Sequence, residues 1–527
     1  MVVAPFTLQE GYWESFEVRD ADIEFLYNFL LDKETPLTTR ELAIALADER
    51  IRVEKLIIEK QRSAGGTIYL PKELYKEKQS LIFPALNWQR GKVVSVRPGQ
   101  NPDMGAFEVI KVALEDGETK EFASGIAEHL LNQPPELIEQ EEGLDLNHVL
   151  ANFGDDLEEY LEESLQENQD FVRIAGRWFP RALLVDINTG HLNLAEAVLD
   201  MGGGGPLPTT TLMEQVGLQD IPNPKLTEFS LDLALEEDSR FDEVGPSGEV
   251  LWFLNRLEPE GVLKPHLCLR YNELDYDREI LTEAMIALEQ ELDDELSPLP
   301  VRVQDATETQ LPLIFPHWRA GTLPLSTRVR HLFPTAYEAP RIRFMLVDGD
   351  TGDKFPGWVV RGRRYVFGLG DWYTEKGVMP GTIIKVKMGK TPGEVIVQCD
   401  THRPNREWVR TVLVGSDGGI VFAMLKQQVT TVYDERMAIA VPDPEALDLV
   451  WQQAQKDHVP FERTLVNIVR ELAKLTPQSH VHASELYTAV NVVRRCPPGP
   501  ILALLASRPW FSHVGDLHFR FDDSERM

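Results

Sequence analysis

Residues 341–412 gather Arg361, Arg363, Arg364, Lys376, Lys385, Lys387, Lys390, Arg403, Arg406 and Arg410 near Trp358, Tyr365, Trp372, Tyr373 and Trp408. Cations hold phosphates and exposed aromatic rings stack on bases, so the chemistry this mixture can do is nucleic-acid contact. A plainer reading makes the aromatics a core and the cations a balance for acidic neighbours. We take that reading for the aromatics in general, not for the arginines. The candidate set here is Arg361, Arg363, Arg364, Trp372, Lys376, Lys385, Lys387 and Lys390. A second set lies on a basic-acidic helix expected over 48–62, where Arg50, Arg52, Lys55, Lys60 and Arg62 alternate with Asp48, Glu49, Glu54 and Glu59. On a helical wheel Arg52, Lys55 and Arg62 share one side, with Glu59 intruding, so Arg50, Arg52 and Lys55 join the candidates.

Other chemistry finds less support. GGGGPLPTTT (202–211) lacks the Lys-Ser/Thr pair of a phosphate loop and reads as a turn before a helix. Gly370, in GLGDW, lacks the third glycine of a dinucleotide fingerprint. His480 and His482 stand two apart without Cys or carboxylate partners at ligand spacing, and we expect surface residues instead of a metal site. No G-x-S-x-G, H-E-x-x-H or Cys/His dyad occurs. The expectation is a protein that is not an enzyme and uses no cofactor or metal.

These residues must be positioned by several domains, since 527 residues exceed one core. Apolar content is 43% and charged content 26%, ordinary for a folded protein. No apolar run is long enough to span a bilayer, the N-terminus lacks a secretory signal's order, and the 3 cysteines are scattered. We therefore expect a cytoplasmic protein without membrane contact. Net charge is −32, which excludes wholesale coating of nucleic acid but not a local basic surface. Residues 128–170 hold 14 acidic residues and no Lys or Arg, whereas 341–412 hold 13 cations against 8 acids, a net of +5.

Two patterns repeat. Leu37-Thr38-Thr39-Arg40-Glu41-Leu42, Leu207-Pro208-Thr209-Thr210-Thr211-Leu212 and Val481-His482-Ala483-Ser484-Glu485-Leu486 each open a helix, with Leu46, Val216 and Val490 four residues past the last leucine. Leu161-Leu165-Phe171-Ile174, Leu231-Leu235-Phe241-Val244 and Ile501-Leu505-Phe511-Val514 share intervals of four, six and three, then pass through a Gly or polar turn into an aromatic strand. Helix, strand, tight turn and strand predict the end of a winged helix, the hairpin being the wing. Two units are complete, from Pro206 to about Phe253 and from His480 to Phe521. The N-terminal unit is expected to use the hairpin around Gly65 to Leu70, and the unit ending at Phe171 lacks an entry motif.

LALEEDSRFDEVGPSGEVLWFL (233–254) and LALLASRPWFSHVGDLHFRF (502–521) resemble the HARE-type helix-turn-helix and the folded domain of the RNA polymerase delta subunit. That resemblance, over roughly a third of the chain, implies association with transcription or chromatin machinery. This chain departs from it by carrying several copies and no acidic C-terminal tail. Residues 88–122 alternate as a small SH3- or Tudor-like barrel, and 341–412, with GDWYTEKGVMPGTIIKVKM, resemble B3-like DNA-binding pseudobarrels.

The expected fold is α+β and multidomain, several winged-helix units plus two small antiparallel β-barrels. Its divisions are a winged helix (1–85), a small barrel (86–130), acidic winged-helix units (131–260), a helical and Pro-rich connector (261–340), a basic barrel (341–440) and a last winged helix (441–527). The expected function is nucleic-acid binding in association with transcription, DNA or RNA meeting the basic barrel and the first winged helix. The alternative is an acidic scaffold whose winged helices dock RNA polymerase or another basic protein surface.

Overall fold

The computed structural model describes residues 12–63, 66–83, 86, 89–100, 107–115, 117–127, 129–132, 144–219, 221–300, 306–391, 393–416 and 418–522. They form a mixed α+β, multidomain protein with several sheets, one curled into a half-barrel. Two compact units emerge, one from the chain up to residue 185 with 223–229, the other from 186–222 and everything from 230 onward. Among the described residues no helix is long and apolar enough to cross a membrane.

The first unit runs α1 (Asp20–Lys33), β1 (Leu37–Thr38), α2 (Thr39–Ser63), β2 (Thr67–Ile68), β3 (Ser80–Phe83), β4 (Gln89–Pro98), β5 (Glu108–Leu114), β6 (Thr119–Ser124), α3 (Leu146–Glu167), β7 (Phe171–Ile174) and β8 (Arg177–Pro180). Thr38 and Glu41 start α2 as a reciprocal cap, Thr38 N–H donating to Glu41 at 2.8 Å and Glu41 N–H to Thr38 Oγ1 at 3.2 Å. No Gly or Pro interrupts the next two dozen residues, so the separate helix expected over 48–62 is the second half of α2. Nor does the segment after it form a wing. β2 pairs in parallel with β3, at the edge of the five-stranded order β2-β3-β4-β5-β6. That sheet therefore begins at Thr67, well before the barrel expected from residue 86. Its ends are drawn together by Tyr69 Oη donating to the Ala123 carbonyl at 2.5 Å and Ile126 N–H donating to Pro71 at 2.8 Å, while β2 and β6 remain unpaired with each other.

The hairpin that completes the first repeat lies about a hundred residues further on. Leu37 of β1 pairs with Trp178 of β8, giving the order β1-β8-β7. The N-terminal unit and the seemingly truncated unit ending at Phe171 are thus the two halves of one repeat, separated by the inserted sheet.

The second unit opens with α4 (Thr189–Met201), β9 (Leu207–Pro208), α5 (Thr209–Val216), the part of α6 (Pro224–Glu236) from Ser230 onward, β10 (Phe241–Glu243) and β11 (Leu251–Leu254). After α7 (Glu260–Leu263) and α8 (Glu283–Leu292) come β12 (Glu308–Pro312), α9 (Phe315–Ala320), β13 (Thr322–Pro324), β14 (Arg341–Asp348), β15 (Lys354–Val360), β16 (Tyr365–Phe367), α10 (Gly370–Lys376), β17 (Ile383–Met388) and β18 (Glu394–Gln398). A long ribbon, β19 (Thr401–Val414) and β20 (Ile420–Thr431), precedes α11 (Pro444–Lys456), α12 (Phe461–Ala473), β21 (Val481–His482), α13 (Ala483–Val493), α14 (Pro498–Ser507), β22 (Phe511–Gly515) and β23 (His518–Phe521).

Both ends of this unit repeat the topology found above: helix, short strand, two helices, hairpin, with the last strand central in a three-stranded sheet, β10-β11-β9 and β21-β23-β22. Between them stands the seven-stranded order β12-β17-β18-β14-β15-β16-β13, open at both ends. The expected basic barrel is corrected in two ways. Its sheet recruits β12 and β13 from the Pro-rich connector, and residues 401–431 leave it to form the separate ribbon.

The repeats also share a buried bond pattern. Trp178 Nε1 donates to Thr39 Oγ1 at 3.0 Å, and Thr39 reaches Glu162 at 3.4 Å. At the equivalent places Trp252 Nε1 donates to Thr209 Oγ1 at 3.1 Å and to Asp232 at 2.9 Å, with Thr209 donating to Asp232 at 2.5 Å. In the third repeat the matching residues are Phe519, Ala483 and Leu502, all buried. The polar trio has been replaced as a whole, as expected if one orphaned member is costlier than none. Thr209→Ala alone should therefore destabilise the second unit by about 1–3 kcal/mol. In denaturant unfolding, the triple variant Thr209→Ala, Asp232→Leu, Trp252→Phe should lose much less than the sum of the three singles; additive losses would contradict this reading.

Candidate nucleic-acid interface

The candidate residues scatter over several environments. Arg50 is buried, its Nε and Nη2 donating to Asp22 at 2.7 and 2.5 Å and its Nη1 to Tyr12 at 3.1 Å. It locks α2 to α1 and is not a contact residue. Arg52 is exposed but held by both oxygens of Glu49 at 2.7 Å, and Lys55 is exposed. The side chains of Glu59, Lys60 and Arg62 lie outside the described residues.

On the seven-stranded sheet most cations are occupied. Lys376 Nζ sits 2.9 Å from Asp348 and 3.0 Å from Asp350, Lys385 2.7 Å from Asp400, and Lys387 3.2 Å from Glu308. Arg361 donates to the Ala339 carbonyl at 2.9 Å and Arg364 to the Glu295 carbonyl at 2.9 Å. Arg363 and Lys390 are exposed. Trp372 is 4% exposed and belongs to the sheet's core, so it cannot stack on a base. Trp358, Tyr365 and Tyr373 are likewise buried, which leaves Trp408. The local excess of cations therefore largely balances carboxylates, several of them supplied from outside residues 341–412.

The glycine and histidine motifs also have their places. The GGGG turn follows α4, with Gly203, Gly204 and Gly205 at positive φ and Gly204 against Phe253 and Leu257. Gly368 and Gly370 line a cavity of about 590 Å³ whose acidic residues include Asp353, Asp371 and Glu375 and whose cations, Arg319 and Lys354, pair with Asp448 and Glu394. His482, expected at the surface, is buried and caps α13, its Nδ1 accepting from Ser484 N–H at 3.2 Å. Burial, with Arg436 and His518 nearby, pushes its imidazole down to about 4. Among the described residues no group of His, Cys, Asp or Glu is arranged to hold a metal.

One surface keeps both halves of the expected chemistry. On the ribbon Trp408 is 61% exposed and stands opposite Lys426, whose Nζ lies 5.5 Å from its ring. Arg406, opposite Gln428, is exposed on the same face, and Arg403 is exposed just before it. Among the described residues no carboxylate lies within ion-pair distance of Arg403, Arg406 or Lys426. The strand's own acid, Glu407, points to the other face by alternation and is engaged by Tyr433 at 2.6 Å. Further along, Arg410 is anchored by Glu485 at 2.7 Å. The ribbon can thus offer one aromatic platform beside Arg406 and Lys426, with Arg403 exposed just before it, and among the described residues these cations are unpaired. Lys426 and Gln428 escaped the sequence reading because they lie across the Gly415–Gly419 turn, outside the segment whose charge stood out. Their register with Arg406 and Trp408 is what brings them in.

Comparisons with protein-family models, with curated proteins and with solved structures return no match.

Acidic residues are buried at the opposite pole of this chemistry. Burial, reinforced by Glu236 and Glu338, pushes the Glu243 carboxyl up to about 8. The folded state then binds a proton that the unfolded chain has released, so stability falls as pH rises from the ordinary glutamate range to about 8. Glu243→Gln should raise the denaturation midpoint at neutral pH and flatten this dependence. An unchanged pH profile would show that the carboxyl is ionised in the fold.

Proposed function

We propose that this chain is a non-enzymatic, transcription-associated protein built of winged helices, and that it meets single-stranded nucleic acid through the β19–β20 ribbon. One observation carries the reading: exposed Trp408 shares its face with Arg406 and Lys426, Arg403 is exposed just before them, and none of the three cations is neutralised among the described residues. Stacking on an aromatic is worth about 1–3 kcal/mol per base, and neighbouring cations add phosphate contact.

Groove reading by the second helix of each winged helix has no such support. α3 carries Asp155, Asp156, Glu158, Glu159, Glu162, Glu163 and Glu167 and no Lys or Arg. α6 carries a single Lys, Lys225, against Glu228, Asp232 and Glu236, and α14 is uncharged and largely buried. A phosphate backbone is repelled or sterically excluded at each. These acidic helices favour a second reading, docking of a basic protein surface such as that of RNA polymerase, alongside the ribbon's contact.

Binding of a fluorescent single strand across a salt series tests the first reading. Trp408→Ala should weaken binding by roughly tenfold or more. Arg403→Glu with Arg406→Glu should also flatten the salt dependence, while Lys385→Ala, whose partner is Asp400, should change little. Equal binding by all variants would overturn it. The second reading requires the immobilised protein to retain purified RNA polymerase at moderate salt, and loss of no complex on charge reversal along α3 would contradict it.

A further inference from the structure

A cavity of about 350 Å³ opens where the 270–274 segment, α11, α12 and the end of α13 meet. Its wall includes Arg270, Arg494, Arg495 and His458, the neutral polar groups Asn272, Gln455 and Thr464, and no carboxylate. In a chain of net charge −32, a wall that gathers several cations and no carboxylate stands out as a place where a small anion meets attraction.

The cations differ in what remains free. Arg495 is neutralised by Asp294 and Glu295, yet its Nε is buried without a hydrogen-bond partner. Arg494 uses Nη1 on the Val459 carbonyl at 2.9 Å, lies 5.4 Å from the centre of the Phe461 ring and, among the described residues, has no carboxylate partner. Arg270 donates Nε to the Pro265 carbonyl at 3.3 Å, makes no ion pair among the described residues and is exposed. Helix ends contribute in opposing senses. α12 begins at the cavity without a side-chain cap, presenting N–H groups, whereas the last turns of α11 and α13 bring carbonyls. The guanidinium groups therefore set the sign of the field. Apolar flanks from Leu274, Val459 and Phe461 complete the wall.

We infer that this cavity binds a small organic anion, a phosphate or carboxylate head group on an apolar body, with Arg270 and Arg494 holding the head group as forked donors. A guanidinium fork suits either head group, and the cavity's size admits a compact ligand instead of a polymer. The inference is independent of the ribbon, which contributes no residue to the cavity wall.

Calorimetric titration of the full chain with phenyl phosphate, benzoate, inorganic phosphate and benzylamine tests it. Phenyl phosphate or benzoate should bind in a saturable, one-to-one manner, whichever is tighter identifying the head group, and benzylamine should not bind. Arg270→Ala, at an exposed position, should weaken the anion by about tenfold. Arg494→Lys should also weaken it, and Arg363→Ala, a surface cation elsewhere, should leave it unchanged. Absence of saturable binding by all three anions, or binding indifferent to Arg270→Ala and to Arg494→Lys, would overturn the inference. Single-strand binding by the same Arg270→Ala protein should be unaltered.

Discussion

Arg495 is the constraint on which the larger unit rests. The guanidinium is fully buried, with Asp294 at 2.8 and 2.6 Å, Glu295 at 2.6 Å and Asn491 at 2.9 Å, while Tyr487 and His317 complete the shell around the two carboxylates. Burial pushes the Glu295 carboxyl up, but Arg495 and His317 more than offset this and hold it low. Stripping one partner from such a cluster strands a charge, at a cost of about 3–5 kcal/mol. Its members come from the turn after α8, from α9 and from the last repeat, so the final helix–hairpin unit is fixed by charge against the connector that leads into the seven-stranded sheet.

The same economy of charge governs the surface. Arg50 with Asp22, Lys376 with Asp348 and Arg410 with Glu485 are cations spent on architecture. The middle repeat is likewise committed inward: Arg341 reaches Asp242 at 2.7 Å, Arg343 N–H donates to Val244 at 2.9 Å, and Phe253 meets Trp358 edge to face. Its hairpin is covered by the seven-stranded sheet, whereas the ribbon keeps exposed Trp408 beside Arg406 and Lys426.

How much of this was legible follows from range. The four-six-three spacing marks buried positions in all three repeats because it is a property of one helix and the strand after it; only Val514, 49% exposed, departs. The joining of residues 37–39 with 162 and 178 is invisible locally, since nothing in either segment announces a partner beyond an inserted sheet. Ion pairing fails for the same reason. Lys387 and Arg364 look free in sequence because Glu308 and the Glu295 carbonyl arrive from the connector. Trp372 and Trp408 both stand beside cations, but only the pairing of strands decides which ring is core and which is exposed.

The central claim is that nucleic acid touches this protein at the ribbon and not at the cations that hold it together. Hydrogen exchange with and without a short single strand measures this directly, peptide by peptide. The account predicts added protection confined to peptides covering 401–410 and 422–430. Protection centred on 39–57 or on 361–390, with the ribbon unchanged, would contradict it.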